Sequence, residues 1–369
     1  MRITNVEAFP VPPRWVFCKI ETDEGIAGWG EASLEGYAST QVAAVHQQRP
    51  ILMGEDPRRI EYLWQGMYRA GFYRGGPVMM SAISGIDQAL WDILGKSVGL
   101  PVHQLLGGAC RDKVRVYGGC GGEDPSAIAE SARACVEAGF TAMKFCPCTT
   151  TEIVDGLDVL KLVEARVAAA RDAAGDADIA LDFHGRIAPP MAIALADVLK
   201  PLRPYFIEEP VQCENVDALV RVARSTPIPI ATGERLYGRH GFREVIEKDA
   251  ASILQPDLCH AGGITEVRKI AAMAETHYMA MAPHCPLGPI ALAACIQFAL
   301  CTPNFLIQEH GHLGEGYLKN PFTDTGGYLS IPEGPGLGIE VDEAAVRAME
   351  WEEWQTPREF QTDGGVADW

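Results

Sequence analysis

Basic residues are scarce in this chain. Its 369 residues carry 31 Lys and Arg against 49 Asp and Glu, a formal charge of −18. A surface that neutralises phosphates must be basic, so this balance excludes a nucleic-acid binder. Long apolar runs are missing too: no stretch approaches the ~18 consecutive apolar residues of a membrane span. The start Met1-Arg2-Ile3-Thr4-Asn5-Val6-Glu7 has no apolar run of the kind export requires. The expectation is a soluble cytoplasmic protein without nucleic-acid or membrane partners. Paired-cysteine spacing is absent as well. The 11 cysteines are odd in number and scattered through apolar segments such as Ala291-Leu292-Ala293-Ala294-Cys295, so they read as buried free thiols rather than a disulfide framework. Cys146 and Cys148 have no second pair at zinc-ligand spacing. Finally, no Gly-x-Gly-x-x-Gly follows the first strand of the α/β region, which argues against an open dinucleotide-binding sheet.

What is present is ordinary globular material, 47% hydrophobic, enough for a large core. Val16-Phe17-Cys18-Lys19-Ile20 and Ile26-Ala27-Gly28-Trp29 flank the turn former Asp23-Glu24-Gly25 and read as a hairpin. Between Ser81 and Lys96 the period becomes helical, with Ile83, Ile86, Leu90, Ile93 and Leu94 on one face and Gly99 and Pro101 as the stop. Residues 1–112 therefore read as an α+β domain. From Arg111 onward β-rich runs alternate with amphipathic stretches. The runs are Val114–Tyr117, Ala142–Phe145, Ile179–Phe183, Phe206–Glu209, Ile228–Ala231, Ser252–Gln255, Tyr278–Ala282 and Phe305–Gln308. The intervening candidates include Ala127–Ala138, Met191–Leu199, Val216–Arg224 and Glu266–Thr276. Eight strands alternating with helices predict a (β/α)8-type barrel over residues 113–322. The acidic segment 323–369 breaks the alternation and is expected to pack back on the first domain.

The strand ends carry the chemistry. Asp182, Glu208, Glu234, Asp257, His284 and Glu309 each fall where an apolar run stops, which in such a barrel is the catalytic rim. Asp182 to Glu208 and Glu208 to Glu234 are both 26 residues apart, about one βα unit, so the three carboxylates should lie side by side. Together without a cation they would repel and at least one pKa would rise. All-oxygen ligation with open positions suits Mg²⁺, with Mn²⁺ a possible substitute. Glu209 reads as a structural partner below the site. His184 is two residues past Asp182, so alternation points both to one side. His284 ends the strand next to the one ending in Asp257, and a carboxylate beside an imidazole makes a usable base. His46, His103, His240, His260, His277, His310 and His312 lack such placement and read as structural or surface residues.

These residues resemble the enolase superfamily, in its mandelate-racemase-like branch. The similarity is densest at Met67-Tyr68-Arg69-Ala70-Gly71-Phe72-Tyr73-Arg74-Gly75-Gly76-Pro77, along Ser81–Lys96, at Asp182-Phe183-His184-Gly185-Arg186, from Ile253 to Gly263, and at Ala282-Pro283-His284-Cys285-Pro286-Leu287-Gly288-Pro289. The resemblance implies a modified barrel whose mouth is covered by a capping domain completed by the C-terminal tail. It implies Asp182, Glu208 and Glu234 as Mg²⁺ ligands, His284 with Asp257 as a catalytic dyad, His184 as general acid and Glu309 as stabiliser of the intermediate. Racemases of the branch place Lys-x-Lys at the end of the second strand, whereas this chain reads Lys144-Phe145-Cys146. The reading that follows is dehydration of a sugar acid, D-galactonate favoured, through an enediolate to a 2-keto-3-deoxy acid, by a homo-oligomer. A cycloisomerase or epimerase on the same scaffold and a non-catalytic sugar-acid-binding protein remain open alternatives. So do the roles of Lys144, Cys146, Arg186, Arg235, His310 and His312.

Overall fold

A computed structural model describes residues 1–361 and 363–368. The chain opens with an antiparallel sheet of Ile3–Val11, Trp15–Thr22 and Ala27–Glu31. The expected hairpin forms with Cys18 opposite Gly30, and the preceding strand, for which the sequence reading made no provision, adds to its free edge. The expected helix runs Pro77–Val98 and stops at Gly99, whose φ of 72° is the left-handed conformation that glycine adopts without strain. This helix crosses the last strand backbone to backbone. A Cβ on Gly30 would lie 1.9 Å from the Gly85 carbonyl oxygen, so only glycine allows the approach.

The expected helices of the second half form as Pro125–Glu137, Pro189–Leu199, Val216–Ser225 and Gly263–Glu275. Seven strands make one parallel sheet, ordered from Ala280–Met281 through Ile253–Leu254, Ile230–Thr232, Phe206–Glu208, Asp178–Asp182 and Ala142–Phe145 to Gly118–Gly119. The eighth segment closes it: Phe305 bridges Met281 and Gln308 bridges Val116, both in the parallel sense. Closure is also visible inside. Tyr117, Ala142, Ala180, Phe206, Ala231, Ile253, Ala282 and Ile307, one residue in or beside each successive strand or bridged segment, form a single buried cluster. That is how inward-facing side chains fill a closed barrel. One detail departs from expectation. Val114–Arg115 pairs antiparallel with Tyr328–Leu329, and the first parallel ladder begins only at Gly118, because the post-barrel segment captures the start of that run.

Buried hydrogen bonds join the two halves. Glu31 of the cap accepts from the main-chain N–H groups of Gly288 (2.8 Å) and Ala291 (3.0 Å), at the N-terminus of the barrel helix Pro289–Leu300. Asp87 accepts from the Thr265 N–H at 3.0 Å and Ser84 from Gly262 at 2.9 Å. A carboxylate at a helix start satisfies donors the helix cannot satisfy itself. The tail returns to the cap: Glu343 bonds Lys19 at 2.9 Å, Arg347 bonds Glu7 at 2.8 Å, and Glu353 bonds Ser39. All 11 cysteines are free. Among the described residues no helix is long and apolar enough to cross a membrane.

Candidate active site

The third and fourth barrel strands align Asp182 directly with Glu208, and the fifth strand leads through Thr232 and Gly233 to Glu234. Carboxylate oxygens of Asp182, Glu208 and Glu234 lie within 4.8 Å of one another, a grouping that can hold a metal ion. The donors are all oxygens, the set a hard divalent cation takes. The electrostatics point the same way. Burial together with the neighbouring Asp182 pushes the Glu208 carboxyl well above its ordinary range, against the pull of Lys144. Burial also weighs against charge on Asp182, but Lys144 and His184 more than offset it and hold that carboxyl below its usual value. So one ammonium group is shared by more negative charge than it can neutralise, which is the condition a bound divalent ion relieves.

Lys144 is the cation in question. Its Nζ stands 3.1 Å from Asp182, 3.0 Å from Glu208 and 2.8 Å from Glu309. Burial would discharge it, yet those three carboxylates keep its pKa well above the ordinary lysine value. Glu309 shares this environment. Burial opposes its charge, but Lys144 and His284 hold the carboxyl below the usual range, so it is an ionised acceptor rather than a protonated donor. One of its oxygens accepts from the Cys285 N–H at 2.9 Å.

His284 comes off the seventh strand with Nδ1 2.8 Å from Asp257, and its Nε2 is 3.4 Å from Glu234 and 3.9 Å from Glu309. Burial works against a charged ring, but Glu234, Glu309 and Asp257 hold its pKa well above the usual imidazole value. Asp257 in turn stays ionised below its usual range: burial is outweighed by His260 and His284. His260 is a residue the sequence reading set aside. Its Nε2 is 3.7 Å from Asp257 and its Nδ1 2.9 Å from the Ser81 hydroxyl, so it supports the dyad from behind. The signal for it was the Asp257-Leu258-Cys259-His260 spacing on a tight turn after a strand.

His184 and Asp182 meet by a different route from strand alternation. The strand ends at Asp182, and His184 has a φ of 52°, so the chain turns back: its own N–H donates to Asp182 at 2.9 Å and its Nε2 lies 3.4 Å from the same carboxylate. Glu209, also at positive φ (39°), pairs with Arg235 at 2.7 Å beneath the rim, the structural role expected of it. His310 stacks on Phe140 at 6.3 Å and His312 packs edge-on against Trp15 at 5.3 Å, neither of them among the carboxylates. Arg186 lies 3.4 Å from the His184 ring. A cavity of about 270 Å³ gathers Lys144, Cys146, His184 and His284 on the barrel side with Arg14 and Glu35 of the cap opposite. A larger one, about 530 Å³, lies beside it between residues 151–153 and the paired C-terminal strands Glu359–Phe360 and Val366–Ala367, but holds none of the carboxylate cluster.

Residues 11–107 match the family model of the mandelate racemase/muconate lactonizing enzyme N-terminal domain, and residues 127–345 match the enolase C-terminal domain-like model. The chain is 50% identical to the D-galactonate dehydratase of Ralstonia pickettii (strain 12J) and 47% identical to that of Pectobacterium atrosepticum, with 100% of both partners covered in each comparison. Among solved structures, an enolase from Agrobacterium radiobacter with Na and L-malate bound superposes with a TM-score of 0.93 at 33% identity over 100% of both chains.

Proposed function

The chain belongs to the enolase superfamily, in its mandelate racemase/muconate lactonizing branch, and from that premise we propose that it is a Mg²⁺-dependent hydro-lyase that dehydrates D-galactonate to a 2-keto-3-deoxy acid. The observation that carries this reading is the pair of imidazoles, His184 and His284, lining one cavity with Asp182 and Glu234 of the three-carboxylate cluster. Full-length relatives named D-galactonate dehydratase support the choice of substrate.

A proton beside a carboxylate is very weakly acidic. General-base catalysis supplies roughly 10²–10⁴-fold, about 3–5.5 kcal/mol, which is too little alone. Asp182, Glu208 and Glu234 would hold Mg²⁺, or Mn²⁺ in its place, and the ion would supply positive charge to offset the negative charge that develops on the substrate carboxylate. The rest falls to side chains. His284 takes the C2 proton through Nε2, while Asp257 fixes its tautomer and orientation from Nδ1. Lys144 adds a second positive charge facing the same carboxylate. Glu309, as an ionised group, keeps Lys144 and His284 in place. His184 gives a proton to the departing 3-hydroxyl, so the C2–H and C3–O bonds break and water leaves. The enol product then tautomerises to the 2-keto form.

The division of labour we adopt is a cap over 1–112, a catalytic barrel over 113–322 and a tail, 323–369, that completes the cap. We place the enzyme in the cytoplasm and read it as a homo-oligomer; Phe72 and Tyr73, 92% and 90% exposed on one loop, favour the oligomer. Incubation with a panel of aldonic acids and Mg²⁺ in D₂O tests the proposal. The expected result is 2-keto-3-deoxy product from D-galactonate. Exchange of the C2 proton with no loss of water would make it an epimerase instead, and no reaction with any sugar acid would sink the assignment.

A further inference from the structure

Two residues of the cavity belong to neither the carboxylate cluster nor the acid–base pair. Arg14 follows the first cap strand, Glu35 follows the third, and the guanidinium stands 2.6 Å from Glu35 Oε1. Both side chains keep access to the cavity, 24% and 23% exposed, and both line it opposite Lys144, His184 and His284. Trp354 of the C-terminal tail packs against Arg14, its ring centre 5.0 Å from the guanidinium carbon. A cation over an aromatic face is held in orientation as well as attracted. Among the described residues Glu35 Oε1, although buried, receives no well-directed hydrogen bond. That buried oxygen faces the Arg14 guanidinium, while the Glu35 side chain as a whole still lines the cavity.

We infer that the Arg14–Glu35 pair is a specificity clamp: it accepts the hydroxylated, uncharged far end of a sugar acid and turns away a second carboxylate. This deepens the dehydratase reading and rests on it. With its C1 carboxylate among the barrel groups, a six-carbon acid directs its other end toward the cap. A lone arginine there would attract a second carboxylate through charge-assisted bonds, about twice as strong as neutral ones. Glu35 changes that preference. It neutralises the guanidinium and presents a negative charge of its own, and like charges brought together at a binding site cost several kcal/mol. The paired groups still offer N–H donors and carboxylate acceptors side by side, the pattern a hydroxyl that both gives and takes a hydrogen bond requires. A monoacid such as D-galactonate therefore fits, and its diacid counterpart, galactarate, does not.

The experiment compares kcat/KM for D-galactonate and galactarate in the wild type, Glu35→Gln and Arg14→Gln. The wild type should favour the monoacid by at least about 100-fold. Glu35→Gln keeps the shape and removes the charge, so the ratio should shrink by about tenfold or more, chiefly through a better diacid rate. Arg14→Gln leaves Glu35 unopposed, so the ratio should widen while KM for the monoacid rises. The two variants thus move in opposite directions, which a general loss of structure cannot imitate. A ratio unchanged in both, or a wild type that prefers the diacid, would overturn the clamp while leaving dehydration intact. A wild type that dehydrates neither acid nor any other aldonate would overturn the underlying assignment, and the clamp with it.

Discussion

His284 is held at both ring nitrogens by carboxylates in different settings: Nδ1 lies 2.8 Å from Asp257, and Nε2 lies 3.4 Å from Glu234 of the three-carboxylate cluster. Proton uptake at His284 and cation binding beside Glu234 are therefore expected to be coupled.

The coupling has a sign. With no cation beside Glu234 the carboxylates keep the ring's pKa well above its usual value, although burial opposes them. A base must be neutral, so kcat/KM should rise with pH as the ring discharges. A cation on Glu234 offsets part of the negative charge and lowers the ring's pKa, so increasing Mg²⁺ should move the acid limb of the profile to lower pH. By linkage, Mg²⁺ affinity measured by calorimetry should tighten between about pH 6 and about pH 9. An affinity flat across that range would show that His284 and the cation site are independent.

The two imidazoles are expected to separate under mutation. His184 has positive φ and supplies a backbone bond to Asp182, and asparagine tolerates that conformation better than most residues. His184→Asn should keep the fold and the cation site but lose the proton donor, lowering dehydration by roughly 10²–10⁴-fold. Exchange of the C2 proton with D₂O, which needs only His284, should persist. If NMR shows exchange and dehydration lost together, His184 does not act on the leaving hydroxyl alone.

The three carboxylates were legible in the sequence because a βα repeat of constant length places successive strand ends side by side, and Asp182 opposite Glu208 is that prediction in register form. His284 with Asp257 was legible for the same reason. Contacts set by tertiary reach were not. Whether the Lys144 side chain spans three carboxylates depends on barrel curvature, and periodicity carries no information about that. Arg14 and Glu35 flank strands of one cap sheet, and Trp354 reaches Arg14 only because the tail returns to the cap. The charge on Glu309 follows from Lys144 beside it, a contact that spacing along the chain does not reveal. At the first strand the local pattern was right about extended structure and wrong about its partner, since pairing with Tyr328–Leu329 is a long-range choice.

Glu208 is the most buried ligand candidate and the one whose charge the protein alone supports least. Glu208→Gln should therefore be as stable as the wild type, or more so, in metal-free buffer. Adding Mg²⁺ at about 100 times its dissociation constant should stabilise the wild type by about 2.7 kcal/mol and the variant far less. EDTA should abolish wild-type turnover and Mg²⁺ restore it. Equal stabilisation of both proteins in urea unfolding would place the cation elsewhere.

Asp87 gives a stability effect away from the chemistry. It is fully buried where the cap helix meets the barrel, one oxygen accepts from the Thr265 N–H, and among the described residues the other, Oδ1, has no partner. Burial pushes its pKa up to about 7, against the bonds from Thr265. A carboxyl whose pKa is raised by folding binds its proton more tightly in the native state than in the unfolded one. Its contribution is fully present below the unfolded value of about 4 and is lost as pH rises through about 7. Between about pH 5 and about pH 8 the wild type should lose on the order of 3 kcal/mol through this group. Asp87→Asn keeps an acceptor for Thr265 and cannot ionise, so its stability relative to the wild type should climb across that window. Glu31, raised to about 7 by burial at the same joint, stays in both proteins and drops out of the comparison. If urea unfolding gives the two proteins parallel pH curves, Asp87 is ionised in the folded protein throughout, and some group other than Thr265 must be stabilising its charge.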